Sequence, residues 1–178
     1  MDIKLSTQDI WFSTLIFGAM GVALGLPLVF LFKDADFKSS PVPVSLASAL
    51  FWGVAAILAI FGFWDLYYKY IFPAYMRWLV PLELLLYGAL GLGLWWLSAQ
   101  LPGRAVVWFL LLGGFEGVLE HVFGIYGLHI LDKVSWLQGS PPLPLLVFSF
   151  FEYIVYWALV GWLGFGILKI ANLLGLHL

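Results

Sequence analysis

The sequence predicts an all-α integral membrane protein, a polytopic bundle of about five transmembrane helices. Of its 178 residues 63% are hydrophobic and only 10% are charged, whereas a soluble domain has about 45–50% apolar and about 25% charged residues. The apolar residues also gather in five long runs, separated by short polar or proline-containing segments. Backbone in lipid must satisfy its own hydrogen bonds, so these runs are expected to be helices.

We expect one transmembrane domain covering residues 1–178. Its spans are predicted at approximately residues 10–32, 44–72, 78–100, 105–131 and 144–174. The first run is too long for the apolar part of a signal peptide, so it is expected to be a retained span. Residues 101–104 (LPGR) predict a tight helical hairpin, and Pro144 suits the first turn of the last helix.

The basic residues predict no orientation, because four fall on each side of the membrane. The side that holds the N-terminus has Lys4, Lys69, Arg77 and Lys133, and the other side has Lys33, Lys38, Arg104 and Lys169. The positive-inside rule needs an excess on one side. With a net charge of −2 and no run of Lys or Arg, the chain also lacks the basic surface of a nucleic-acid-binding protein.

All four glutamates lie inside predicted spans, at Glu83, Glu116, Glu120 and Glu152. An ionised group at the bilayer centre costs at least about 2.5–3.5 kcal/mol, so such residues face the bundle interior or a cavity and are functional candidates. At about 1.5 Å rise per residue, the acidic groups, including Asp65, lie at comparable depths from the N-terminal side. We therefore expect a polar pocket that opens toward that side.

The fourth span has two distinct faces. Successive residues of an α-helix are rotated by about 100°. On this count one arc of the helix holds Gly113, Glu116, Gly117, Glu120, His121, Gly124 and Gly127. The opposite arc is large and apolar, and it holds Phe115, Val118, Leu119, Val122, Phe123, Ile125 and Tyr126. We expect the second arc to face lipid or apolar neighbours, while the glycines permit close helix approach. The Gly21/Gly25 and Gly113/Gly117 spacings are also compatible with a dimer.

The candidate site follows from these positions. As acid/base or ligand-binding groups we expect Glu116, Glu120, His121 and Glu152. As further ligand-binding residues we expect Glu83, Tyr87, Ser149, Tyr156 and Trp157. Ser149, Glu152 and Tyr156 form a stripe on the fifth span, and hydroxyl groups there are expected to hydrogen-bond the buried carboxyls.

Three functions fit this pattern. In the first, the acidic pocket binds or transports a cation, a proton or an amphiphilic small molecule. In the second, a carboxyl and His121 act as general acid and base in an intramembrane isomerase or cyclase for a lipid-like or terpenoid substrate. In the third, the chain is a structural subunit of a larger membrane complex. A hydrogen-bond network that only fixes helix packing is the alternative interpretation of the acids.

No cofactor is predicted, and several are disfavoured. The absence of cysteine argues against iron–sulfur clusters and Cys-ligated zinc. Haem is disfavoured because paired histidines at matching depth are missing, and no Glu-x-x-His pattern for a two-metal bundle occurs. Mg²⁺ or Ca²⁺ bound by oxygen ligands stays open. The expected partners are the lipid bilayer, a small hydrophobic or cationic ligand, and further copies or other subunits.

Overall fold

A computed structural model describes residues 4–32, 41–62, 80–134 and 137–176, with backbone alone for residues 56–62 and 80–83. Within these residues all regular secondary structure is helical, which confirms the all-α class. Three helical segments are long and apolar enough to cross a membrane: Thr7–Leu31, Ala105–Gly127 and Pro142–Leu173.

Six α-helices form the described part of the chain. They are α1 (Thr7–Leu31), α2 (Val42–Gly62), α3 (Val80–Gln100), α4 (Ala105–Val122), α5 (Ile130–Lys133) and α6 (Pro142–Leu173). α1 starts before the predicted residue 10 because Ser6 and Asp9 form a capping box. The predicted second span extends to residue 72, and its part beyond Gly62 lies outside the described residues.

The predicted hairpin between the third and fourth spans is present. Residues 101–104 join α3 to α4, and Gly103 has a φ of 91°. The indole Nε1 of Trp108 donates to the carbonyl oxygen of Pro102 at 2.6 Å, which fixes the turn against α4. Glycine adopts this left-handed backbone without steric cost, so a four-residue connection reverses the chain.

The predicted span 105–131 contains the apolar segment Ala105–Gly127, which is long enough to cross a membrane, but this segment is not one regular α-helix. α4 gives way to a π-helix at Phe123–Gly127, and His129 has a φ of 54° before α5 begins. A π turn holds more residues than an α turn, so the helix faces shift. Ile125 is buried in an apolar cluster with Ile10 and Val134, which are the kind of apolar neighbours expected for the apolar face of this span. Leu119 and other members of that predicted face are exposed as expected.

α6 is the centre of the bundle. It packs against α1, α2 and α4, while α3 packs against α2 and α4. The main core consists of fully buried side chains from these helices, among them Leu28, Val44, Trp95, Phe109, Trp157 and Val160. Every helix that carries a candidate site residue therefore contacts α6 directly or through α2 and α4.

The long helices alternate in direction along the chain. Four close contacts give the directions: Gly21 with Ile154, Leu28 with Gly161, Pro43 with Gly164 and Ser48 with Tyr156. The first two advance together along both helices, so α1 is parallel to α6. The other two run in opposite order, so α2 is antiparallel to α6.

The glycines of α1 serve contacts within the chain. A Cβ atom on Gly21 would lie 3.0 Å from Cγ2 of Ile154, and one on Gly25 would lie 3.0 Å from Cδ1 of Leu110. The Gly21/Gly25 spacing is therefore used to pack α1 against α6 and α4. It leaves no glycine face of α1 for a dimer.

Candidate functional site

Glycines on α4 bring the aromatic side chains of α6 to its carboxyl groups. A Cβ atom on Gly113 would overlap the ring of Trp157, and one on Gly117 would overlap the ring of Tyr153. The order of these contacts makes α4 antiparallel to α6. The two glycines are four residues apart, and so are the two aromatic residues. A single register between α4 and α6 therefore places each ring against one glycine.

Glu116 lies in the middle of an apolar helical segment. It is the middle residue of the 23-residue apolar segment Ala105–Gly127. Its Oε2 atom accepts a hydrogen bond from Nε1 of Trp157 at 3.1 Å. Its Oε1 atom is buried and has no hydrogen-bond partner among the described residues. A buried acceptor without a partner costs free energy, so this atom is a place where a proton or a cation would be stabilised.

Glu120, one turn further on, is held by two tyrosine hydroxyl groups. Tyr87 on α3 donates to Oε1 at 3.2 Å, and Tyr153 on α6 donates to Oε2. Both donors stabilise negative charge on the carboxyl without bringing a positive charge. The sequence prediction included Tyr87 and missed Tyr153. One sequence feature could have identified Tyr153. Tyr153 and Trp157 are four residues apart on α6, and this spacing matches that of Gly113 and Gly117 on α4.

His121 pairs with Glu152 at the edge of the site. Its Nδ1 lies 3.0 Å from the carbonyl oxygen of Gly117, and because a carbonyl only accepts, Nδ1 carries the hydrogen of that bond. Its Nε2 lies 3.8 Å from Oε2 of Glu152, and the two side chains are 26% and 37% exposed. In a neutral ring Nε2 is an acceptor, so a bond between the two groups needs one shared proton.

Aromatic rings continue from the carboxyls into the bundle. Trp52 on α2 stacks on Tyr87 with ring centroids 4.0 Å apart, and it lies 5.4 Å from the ring of Tyr156. The Ser48 hydroxyl donates to the carbonyl oxygen of Tyr87 at 2.7 Å, so in its 3.3 Å contact with Tyr156 the phenol is the donor. The indole Nε1 of Trp52 is buried without a hydrogen-bond partner among the described residues.

The structure brings most of the predicted site residues together. The residues that meet are Glu116, Glu120, His121, Glu152, Tyr87, Tyr156 and Trp157. Ser149 stays apart, because its hydroxyl donates to the carbonyl oxygen of Leu146 in its own helix at 2.9 Å. The side chain of Glu83 and the whole of Asp65 lie outside the described residues.

The groups around the carboxyls are donors rather than further metal ligands. Across the described side chains, no group of three or more His, Cys, Asp and Glu residues is placed to hold a metal ion. The hydroxyls of Tyr87 and Tyr153 and the indole of Trp157 point their hydrogens at Glu116 and Glu120. The site is thus a pair of carboxyls among aromatic donors.

Similarity to known proteins does not assign a function to this site. Comparisons with protein-family models, with curated proteins and with solved structures give no match to the chain. The inference of function therefore depends on the chemistry of the site itself.

We expect the Tyr153 hydroxyl to contribute to stability through its bond to Glu120. Tyr153→Phe keeps the ring that packs on Gly117 and removes only the donor. A hydrogen bond to a charged group contributes about 1.5–3 kcal/mol, so the free energy of unfolding should fall by about that amount. Unfolding in mixed micelles measures it. The matched control is Tyr126→Phe, since Tyr126 is 61% exposed; equal effects of the two substitutions would contradict this role.

Proposed function

We propose that this chain is a multi-pass membrane protein with five spans, which binds a cation inside the bundle at Glu116 and Glu120. The observation that carries this proposal is the buried Oε1 atom of Glu116, which lacks a hydrogen-bond partner among the described residues. Glu120 lies one helical turn away, and among the described residues its hydrogen-bond donors are uncharged. A cation supplied from outside the chain would offset negative charge on this pair.

The proposal of five spans is supported by α2 and α3. Each has 21 residues, which at about 1.5 Å per residue gives a length of about 30 Å, close to the thickness of the hydrocarbon core. Both pack against helices that are apolar enough to cross a membrane. The alternating helix directions also suit a chain that crosses the bilayer at each long helix.

The electrostatics of the carboxyl pair favour a cation. In the low dielectric of a membrane bundle, two adjacent negative charges repel strongly. Tyrosine and tryptophan donors reduce the cost of each charge but leave the repulsion. Within the described residues neither Glu116 nor Glu120 forms an ion pair with Lys or Arg. Within the described residues, the charge of the pair is therefore balanced by bound protons or by a cation that displaces them.

His121 and Glu152 support a route to the pair. Both are partly exposed, and His121 follows Glu120 directly in α4. Ionisable side chains inside membrane proteins commonly line ion pathways and proton relays. In this proposal a cation reaches Glu120 past His121 and Glu152, and the proton that it displaces leaves by the same groups.

Calorimetric titration of the purified protein in a non-ionic detergent tests the proposal. The probes are NaCl, KCl, MgCl₂, CaCl₂ and benzylammonium chloride, with proton release followed by a pH indicator dye in weak buffer. We expect at least one of these cations to bind stoichiometrically and to release protons. Binding should be lost in Glu120→Gln. It should persist in Asp132→Asn, since Asp132 is 83% exposed and lies outside the site.

Two results would overturn the proposal. One is a wild-type protein that binds none of the probes and releases no protons. The other is binding that survives unchanged in Glu120→Gln, because the cation would then be held elsewhere. Asp132→Asn removes one negative charge outside the site. Comparing it with Glu120→Gln therefore shows whether cation binding depends on the site or on the total negative charge of the protein.

A further inference from the structure

We infer that the cation is an organic ammonium group on an amphiphile, held against the aromatic rings that surround Glu116 and Glu120. This inference rests on the proposed function and names the class of its ligand. It depends on three features: the aromatic surroundings of the carboxyls, the two buried polar atoms without partners in the described residues, and the partly exposed rim of the site.

The aromatic rings come from three helices and form one connected group. Trp52 stacks on Tyr87 at 4.0 Å and lies 5.4 Å from Tyr156, which lies 5.8 Å from Tyr153 and 4.8 Å from Trp157. Three members of this group donate directly to Glu116 or Glu120. Rings with carboxylates beside them recognise organic ammonium groups, because the ring faces attract positive charge and tolerate alkyl groups.

The same surroundings are poor for an inorganic ion. Ca²⁺ takes six to eight oxygen ligands, and Mg²⁺ takes an octahedral set that includes several waters. The phenol hydrogens of Tyr87 and Tyr153 already point at Glu120, and the described side chains offer no group of three carboxyl or imidazole ligands. An ammonium group needs fewer oxygen atoms, because alkyl and ring carbons contact the rest of its surface.

Two buried polar atoms specify the hydrogen bonds that the ligand would make. Oε1 of Glu116 is an acceptor and Nε1 of Trp52 is a donor, and neither has a partner among the described residues. An ammonium group that keeps at least one N–H would donate to Glu116. A neighbouring oxygen on the ligand would accept from Trp52. A protonated amine meets the first requirement, and a ligand oxygen within reach of Trp52 would meet the second.

The rim of the site suits an amphiphile. Trp52, Tyr87, Glu120, His121 and Glu152 are all partly exposed, and contacts between them join one to the next. The outer surface of α4 beside them is apolar, with Leu119 69% exposed. A ligand whose ammonium head lies at the carboxyls can therefore extend an apolar tail toward lipid.

Calorimetric titration with benzylammonium chloride tests the ligand class, with benzyl alcohol as its neutral analogue and NaCl and MgCl₂ as inorganic probes. We expect benzylammonium alone to bind. Removing one cation–ring contact by Trp52→Leu should weaken binding about tenfold. Trp52→Phe restores a ring and should recover part of that loss. The matched control is Trp96→Leu, because Trp96 is 63% exposed on α3, away from the carboxyls.

The outcomes separate this inference from the proposed function. If Na⁺, Mg²⁺ or protons alone bind, and do so through Glu120, the ammonium class is wrong while the cation site stands. If no probe binds, the proposed cation site and the inferred ligand class are both wrong. Equal binding of benzyl alcohol would show an apolar site without charge recognition and would also overturn the inference. Should Trp52→Leu fail to fold, Trp52→Phe and the wild-type preference for benzylammonium over Na⁺ still decide.

Discussion

Glu116→Gln is expected to weaken cation binding by on the order of a hundredfold, because removing one member of a buried charge pair costs about 2–5 kcal/mol. The same substitution should leave the free energy of unfolding equal or higher. The glutamine oxygen still accepts from Nε1 of Trp157, its amide group can donate to Glu120, and no charge has to be buried. Calorimetric titration with benzylammonium chloride and unfolding in mixed micelles measure the two effects.

This pair of measurements separates a binding site from a network that only fixes helix packing. In a structural network the carboxyl would be retained for stability, and Glu116→Gln would destabilise the bundle. In a binding site the buried Oε1 atom, without a partner among the described residues, costs stability in the empty protein. The control is Glu152→Gln, which lies at the partly exposed edge and should change affinity less. A destabilised Glu116→Gln protein with unchanged affinity would refute the assignment.

The part of the site that lies on one helix could be predicted from the sequence. Glu116, Glu120 and His121 share a face of α4 because helical periodicity alone determines which residues of one helix lie together. Leu119 and Phe123 on the other face are exposed for the same reason. The cost of burying glutamate in lipid also pointed to α4 and α6, whose side chains His121 and Glu152 lie 3.8 Å apart.

Contacts between helices were not predictable in the same way. Tyr153 and Trp52 reach the site only because of the register between α6 and α4 and between α2 and α3, which single-helix periodicity does not contain. Ser149 shares a predicted stripe with Glu152, yet its hydroxyl bonds to the backbone of its own helix, a common alternative for serine in helices. Ile125 is buried because Ile10 of α1 and Val134 after α5 pack against it, and the periodicity of a single helix does not contain these contacts.

Gly117→Ala should have the largest effect on the fold. Its Cβ would overlap the ring of Tyr153, and both the ring and the α4 backbone are fixed by packing, so α6 must move away. Overpacking of this kind costs about 1–3 kcal/mol and sometimes more. The shift would also break the bond between Tyr153 and Glu120, so affinity for benzylammonium should fall together with stability.

Gly93→Ala is the matched control, since a Cβ atom there meets nothing within 4 Å. Alanine is a better helix former than glycine by about 0.5–1 kcal/mol, so this substitution should leave stability unchanged or raise it. Unfolding in mixed micelles compares the two proteins. If Gly117→Ala were as stable as Gly93→Ala, the helices would not approach as closely as the Tyr153 contact requires. The carboxyls of α4 would then lack their aromatic partners, and the proposed cation site would lose its geometric basis.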